Sequence, residues 1–259
     1  MLVPLFFTCF VLTGRAASGN DMDSLLEDIR AIEFNQIHYN TPRADYFRYI
    51  EGSIPVLISA PHGTRHYRRC GGDGFWKDED AYTSSLAIKL GQLTGAHVLY
   101  AKYKAAEDPS SDADCGYKAL LQENVRAHGI GFVLDLHGAA ASREFRVDVG
   151  TLSDTPEGCS CVAFKPLIAK AFRGIEERLF NKQFKAADKG TITSFVKREL
   201  GIEAAQFEIN ACCRVVQSRS NPSRMAREED IIDMITRFRS MILEISEAIE
   251  KNRASAMKR

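Results

Sequence analysis

Charge of one sign is what this sequence lacks most plainly. Lys plus Arg and Asp plus Glu number 34 each in 259 residues. No basic block breaks that balance, so a nucleic-acid partner has no electrostatic footprint here. Long apolar runs are missing too: no segment reaches the roughly 20 apolar residues needed to cross a bilayer. The nearest approach is Met1 to Leu12, followed by the small residues Ala16-Ala17-Ser18. That stretch has the length of a signal-peptide core, although no Lys or Arg precedes it. We expect residues 1–18 to be a cleaved signal, leaving a secreted or extracytoplasmic protein with no membrane contact. An unprocessed N-terminal helix is the plainer alternative. Internal repeats, low-complexity segments and linkers are absent, so residues 19–259 are expected to form one domain.

Cysteine is oddly spaced. Cys9 lies inside the expected signal, which leaves Cys70, Cys115, Cys159, Cys161, Cys212 and Cys213. An even number suits disulfide bonds in an exported protein. Cys159-Ser160-Cys161 and Cys212-Cys213 lack the two-residue gap of structural zinc knuckles, so a zinc–thiolate cluster is not expected.

What the chain does have is an alternation of short apolar runs and amphipathic stretches. Residues 22–33 have helical spacing; 46–50 and 54–60 read as a hairpin or adjacent strands, and 65–76 as an Arg- and Gly-rich loop. Helices are expected over 80–93 (ending at Gly95), 117–128, 165–179 and 191–200, and strands over 96–103, 132–136, 143–152 and 204–210. A last long helix is expected from near Ser223, with an isoleucine-rich stripe that packs on the sheet; a coiled-coil dimer fits less well because the repeat is short. This order predicts an α/β fold: a mixed, mostly parallel sheet with helices on both faces.

Two of the apolar runs end in a histidine followed by glycine, at Pro61-His62-Gly63 and Leu136-His137-Gly138. In open α/β sheets, sites form beyond the carboxyl ends of the strands. A lone turn histidine would be structural, but two equivalent ones are a constellation. Two imidazoles and a nearby carboxylate make a three-ligand zinc site with a position left for water, one ion per chain. Asp80 is the first candidate for the carboxylate and Glu79 the second, although acids at a helix start are also favoured by the helix dipole. Asp135, two residues before His137, shares its strand face and would orient a ligand or the attacking water, or else bond backbone amides.

Period-2 alternation places Gln206, Glu208 and Asn210 on one face of their strand. That is unusual for a core strand and natural for a site, which makes Glu208 the candidate general base; a solvated edge strand is the alternative. Arg65, Arg143, Arg146 and Arg214 fall near strand ends or loops. Any of them can take a substrate carboxylate bidentately, with Arg214 preferred. His38, His66, His97 and His128 have no recognisable spacing and are read as structural or surface groups.

Four segments in order, Pro-Val-Leu-Ile-Ser-Ala-Pro-His-Gly (55–63), Glu-Asp with Thr83 and Leu86-Ala87 (79–87), Leu-Asp-Leu-His-Gly (134–138) and Gln-Phe-Glu-Ile-Asn (206–210), resemble the N-formylglutamate amidohydrolase family. The resemblance spans roughly Tyr46 to Arg214. It implies a fold similar to the zinc carboxypeptidases and the aspartoacylase group. It also implies a single zinc, His62 and His137 as ligands, a carboxylate ligand from the Glu79-Asp80 pair, and Glu208 as base. Two positions depart from the pattern. Zinc carboxypeptidases have a glutamate three residues after the first histidine, and this chain has Arg65. Typical deformylases carry an Asn-Arg pair before the central helix, and residues 112–117 lack it. The resemblance therefore carries over the reaction type rather than formylglutamate as substrate.

The leading expectation is a zinc-dependent hydrolase of an amide bond in a small N-acyl amino acid or peptide. An exported peptidase or amidase acting on extracellular or cell-wall peptides is the alternative among enzymes. A metal-free binding protein on the same fold is the alternative outside them.

Overall fold

The computed structural model describes residues 19–70, 73–176, 179–217 and 226–258. The expected signal, residues 1–18, lies outside them. The described residues begin with α1 (Gly19–Gln36), β1 (His38–Pro42), β2 (Phe47–Ile50) and β3 (Ile54–Ala60). It continues through β4 (His66–Cys70), β5 (Asp73–Lys77), α2 (Thr83–Thr94), β6 (Ala96–Ala101), β7 (Tyr103–Lys104), α3 (Gly116–Ala127) and β8 (Phe132–Ala139). Then follow β9 (Val147–Gly150), α4 (Lys165–Ala171), α5 (Ile192–Phe195), β10 (Glu203–Asn210) and α6 (Glu228–Ala256).

Six strands form the central sheet in the order β2-β6-β3-β8-β10-β9. β6, β3, β8 and β10 run parallel, and the edge strands β2 and β9 run antiparallel to their neighbours. Alternate residues of β3 serve opposite faces, as the pleat requires. Val56 and Ile58 join Ile29, Leu86, Leu90, Phe238 and Ile242 on one side, where α1, α2 and α6 pack. Leu57 joins Tyr117, Leu121, Val125 and Ile192 on the other, beneath α3 and α5. The predicted mixed sheet with helices on both faces is the fold observed. The isoleucine stripe of α6 is buried against it, and Gly95 ends α2 in the left-handed region at φ 81°.

Several local expectations are corrected. β2 and β3 are not paired, because β6 inserts between them. The stretch read as a loop over 65–76 holds the antiparallel pair β4–β5. β8 runs past His137 to Ala139, so that histidine sits within the strand rather than at its exit. α4 is cut short, and Gly174 turns left-handed three residues beyond it at φ 78°. The helix expected over 191–200 is the short α5 followed by a π-helical turn at Val196–Leu200. Among the described residues, Cys115, Cys159, Cys161, Cys212 and Cys213 are free thiols. The Sγ atoms of Cys159 and Cys161 are 3.9 Å apart and those of Cys212 and Cys213 are 3.6 Å apart, far beyond the ~2.05 Å of a disulfide.

Candidate metal centre

The carboxyl ends of β3, β8 and β10 meet at one edge of the sheet. β3 delivers His62 two residues past its end, and β8 and β10 hold His137 and Glu208 as register partners. Both glycines of the His-Gly pairs are there for close approach. A Cβ on Gly63 would come within 1.8 Å of the Ser84 Oγ, and one on Gly138 within 2.3 Å of the Arg214 guanidinium. The Asp80 N–H donates to the His62 carbonyl at 2.8 Å, so the segments before and after the β4–β5 pair are tied together. Tyr82, two residues on, is left-handed at φ 69°, a conformation costing on the order of 1–3 kcal/mol in a residue with a Cβ. Buried Glu33 holds it there by accepting from the Tyr82 N–H at 3.2 Å.

The two imidazoles are wired alike. The Nδ1 atoms of His62 and His137 lie 3.7 and 3.4 Å from the same Asp80 oxygen. Their Nε2 atoms face buried carboxylates, Asp108 at 2.8 Å from His62 and Asp135 at 3.2 Å from His137. A ring that donates from Nε2 keeps its Nδ1 lone pair free, which is how a carboxylate fixes the tautomer of a metal-ligating histidine. The donor set of two imidazole nitrogens and one carboxylate oxygen fits a zinc ion. Asp80, Asp108, Asp135 and Glu208 crowd around the pair, with the Arg68 guanidinium on Asp108.

Titration behaviour reflects the crowding. Burial works against charge on His137, but Asp135 and Asp80 outweigh it and hold its pKa well above the ordinary value. Burial likewise raises Asp80, yet His137 and His62 bring it well below the usual carboxylate range. Glu208 is pushed up to about 7, first by burial and then by the negative charge of Asp80, against the pull of His137 and His62. The Gln206 amide donates to its Oε1 at 2.8 Å and leaves the other oxygen available. A carboxylate poised near neutrality is suited to general base work.

These groups open into a cavity of about 700 Å³, in the size range of sites for drug-sized ligands. Its wall includes His62, Asp80, His137 and Glu208, and the cations Arg68, Lys77, Arg143 and Lys185. Asn210, on the same strand face as Glu208, donates to the carbonyls of Arg143 and Phe145 at 3.1 and 2.8 Å and so fixes the Arg143 backbone.

Not every candidate residue reaches this cavity. Glu79 lines a second one of about 590 Å³, together with Tyr82 and Arg214. The buried Arg214 guanidinium packs on Gly138 and donates to the carbonyls of Ala81 at 3.1 Å and Ala139 at 3.3 Å. It thereby ties the segment after Asp80 to the end of β8. Arg65 pairs with exposed Asp78 at 3.1 Å, and Arg146 with Asp230 at 2.6 Å. Asp135 contacts the His137 ring and also accepts from the Ser59 hydroxyl at 3.1 Å.

Asp108 is the residue that sequence reading missed. The signal available for Asp108 was its place just after β6 and β7, at the same sheet edge. The His66 ring stacks on His62 with centroids 3.9 Å apart and planes 6° from parallel. Burial and the neighbouring His62 lower its pKa to about 3, so it is neutral. His62, His66 and Asp108 also cluster closely enough to suggest a second metal site. Parallel rings, however, hold their in-plane lone pairs side by side instead of converging, and Arg68 already occupies Asp108.

No protein-family model matches the chain, and no curated protein matches it. Solved structures do. N-formylglutamate amidohydrolase from Ralstonia eutropha JMP134 is similar over 80% of this chain and 99% of its own, at 15% identity and a TM-score of 0.57. A bacteriophage poly-gamma-glutamate hydrolase aligns over 88% of this chain and 96% of its own, at 15% identity and a TM-score of 0.44. A metallo-carboxypeptidase from Burkholderia cenocepacia aligns over 90% of this chain and 70% of its own, at 10% identity and a TM-score of 0.45. The likeness to the first is one of fold, and it extends over nearly the whole of that enzyme.

Proposed function

We propose that this chain is a zinc-dependent hydrolase of amide bonds, acting on a small N-acyl amino acid or a peptide. The observation that carries the reading is the convergence of the His62 and His137 Nδ1 atoms on Asp80 beside Glu208. The amidohydrolase that shares the fold supports it. A divalent ion held by His62, His137 and Asp80 would supply Lewis-acid polarisation of the carbonyl and a more acidic water.

The residues of the chain do the rest. Asp108 and Asp135 hold the two imidazoles in the ligating tautomer. Glu208 takes a proton from the attacking water and returns it to the departing amine, so that the C–N bond breaks as an amine leaves rather than an amide anion. The cations of the cavity wall, Lys77 and Arg143 among them, hold a carboxylate of the substrate. Arg214, the substrate-binding candidate from the sequence, serves in this reading from behind the wall by fixing the Asp80 and His137 segments. Cleavage of residues 1–18 and work outside the cytoplasm are part of the proposal.

The test is metal content by mass spectrometry on protein purified without added metal, then after zinc is offered. One zinc per chain, lost in His62→Ala, is the expected result. A zinc-free protein in both preparations would overturn the reading.

A further inference from the structure

The β4–β5 pair is an arm that leans over the site. Its base is held by the Tyr67 N–H on the Ala105 carbonyl at 3.1 Å and the Ala105 N–H on the Arg65 carbonyl at 3.0 Å. Its register pairs His66 with Lys77, Tyr67 with Trp76 and Arg68 with Phe75. Directly opposed residues of an antiparallel pair share a face, so His66, Arg68, Phe75 and Lys77 lie on one side of the arm. That side is the site side: His66 stacks on His62, and Arg68 and Lys77 line the cavity.

Phe75 is the odd member of this face. It is 51% exposed beside three residues engaged with the site, and it forms no part of the cavity wall. On the other face the aromatic groups are occupied. The Tyr67 and Trp76 rings pack edge to face at 5.3 Å, and Lys104 Nζ lies 3.5 Å from the Trp76 ring centroid. Tyr67 also covers Gly74 so closely that a Cβ there would come within 2.5 Å of its ring. Trp76 is 41% exposed on that other face, and Phe75 is the large apolar side chain on the face toward the site.

We propose that the β4–β5 arm is a second substrate-binding element and that the substrate is a peptide of several residues rather than a single acyl amino acid. A carboxylate near the scissile amide meets Arg68 and Lys77, and an apolar or aromatic side chain further along meets Phe75. This rests on the reading of the cavity as an amide-hydrolysing site. It adds that the site reads past the residue being cleaved. The cationic wall supplies the charge complementarity, and the cavity of about 700 Å³ has room for several residues.

Calorimetry reads binding without turnover. The experiment titrates zinc-loaded Glu208→Gln protein with acetyl-Glu-Ala-Phe and with acetyl-Glu-Ala-Ala, then repeats both in Glu208→Gln/Phe75→Ser. Phe75 is exposed, so the substitution leaves the fold intact. The expected result is about tenfold tighter binding of the phenylalanine peptide, the order of one good aromatic contact, and loss of that preference in the double variant. Equal affinities in the parent protein, or a preference that survives Phe75→Ser, would overturn the proposal. A preference seen without any cleavage by wild-type protein would retain the arm and sink the hydrolase reading instead.

Discussion

Glu208 and His137 stand side by side in register on the neighbouring parallel strands β10 and β8. The candidate base and a candidate ligand are thus spaced by the hydrogen-bond ladder of the sheet. Sites built on regular elements hold their geometry more tightly than sites on loops. The other candidate ligands, His62 and Asp80, flank the β4–β5 pair, and their segments are tied down by the Asp80 N–H and by Arg214.

Substituting the base without touching the ligands separates chemistry from metal binding. Glu208→Gln keeps the acceptor for the Gln206 amide and should keep zinc. Its turnover should fall by roughly 10²–10⁴, the usual worth of general base catalysis. In the wild type kcat/KM should rise with pH to an apparent pKa at or below about 7, because the base works deprotonated and a bound cation stabilises the carboxylate. Retained turnover, or the same pH limb in the variant, would remove Glu208 from this role.

Asp108 should matter to the metal without touching it. Asp108→Asn weakens the acceptor that fixes the His62 tautomer, and loss of such a partner costs about 10–100-fold in affinity. Competition against a chromogenic chelator measures the change. An unchanged zinc dissociation constant would show that His62 is oriented by other means, such as the stacked His66.

The metal-free protein should gain stability from Glu208→Gln at alkaline pH. The folded-state pKa of Glu208, about 7, lies above the ordinary 4.5. Such a raised carboxyl favours the fold only while it is protonated. It costs stability as pH climbs through this window, and fully so above the folded value. At pH 8 the variant should be more stable by on the order of 3 kcal/mol, and near pH 4 the difference should vanish. Urea melts with chelator present, at the two pH values, decide it; the opposite pH trend would contradict the assignment.

Gly138→Ala should disturb the site from behind. Its new Cβ would fall 2.3 Å from a guanidinium that is buried and bonded to two carbonyls, so Arg214 has to move. Overpacking of this kind costs about 1–3 kcal/mol. Thermal melting and zinc affinity should both decline. A wild-type melting temperature would mean that the contact relaxes freely.

Much of the site was legible because its chemistry is written locally. A histidine and a glycine after an apolar run state both a candidate ligand and the backbone room it needs, and they do so at 61–63 and at 136–138. The polar face of 206–210 was readable from pleat periodicity alone. The choice between Asp80 and Glu79 was not, since a one-residue step at a helix start carries no periodic signal. Asp80 is the one of the two that contacts both histidines. Asp108 was invisible for a related reason: its partners His62 and Arg68 are 46 and 40 residues away in sequence. The β4–β5 arm was hidden by composition, because arginine and glycine dominate a segment whose alternation is that of a hairpin. The position of β6 between β2 and β3 lies beyond local reading altogether, being a matter of which strand returns beside which.

Arg68 belongs to two circuits at once. One side of it bonds the carboxylate that orients His62, and the same group lines the cavity where substrate is expected. A substrate carboxylate that draws on Arg68 leaves Asp108 freer to polarise the His62 ring, which strengthens its hold on a cation. Thermodynamic reciprocity then requires the converse: the ion must raise the affinity for the substrate by the same factor. The centre would retain its metal best while it is working and surrender it most readily when idle.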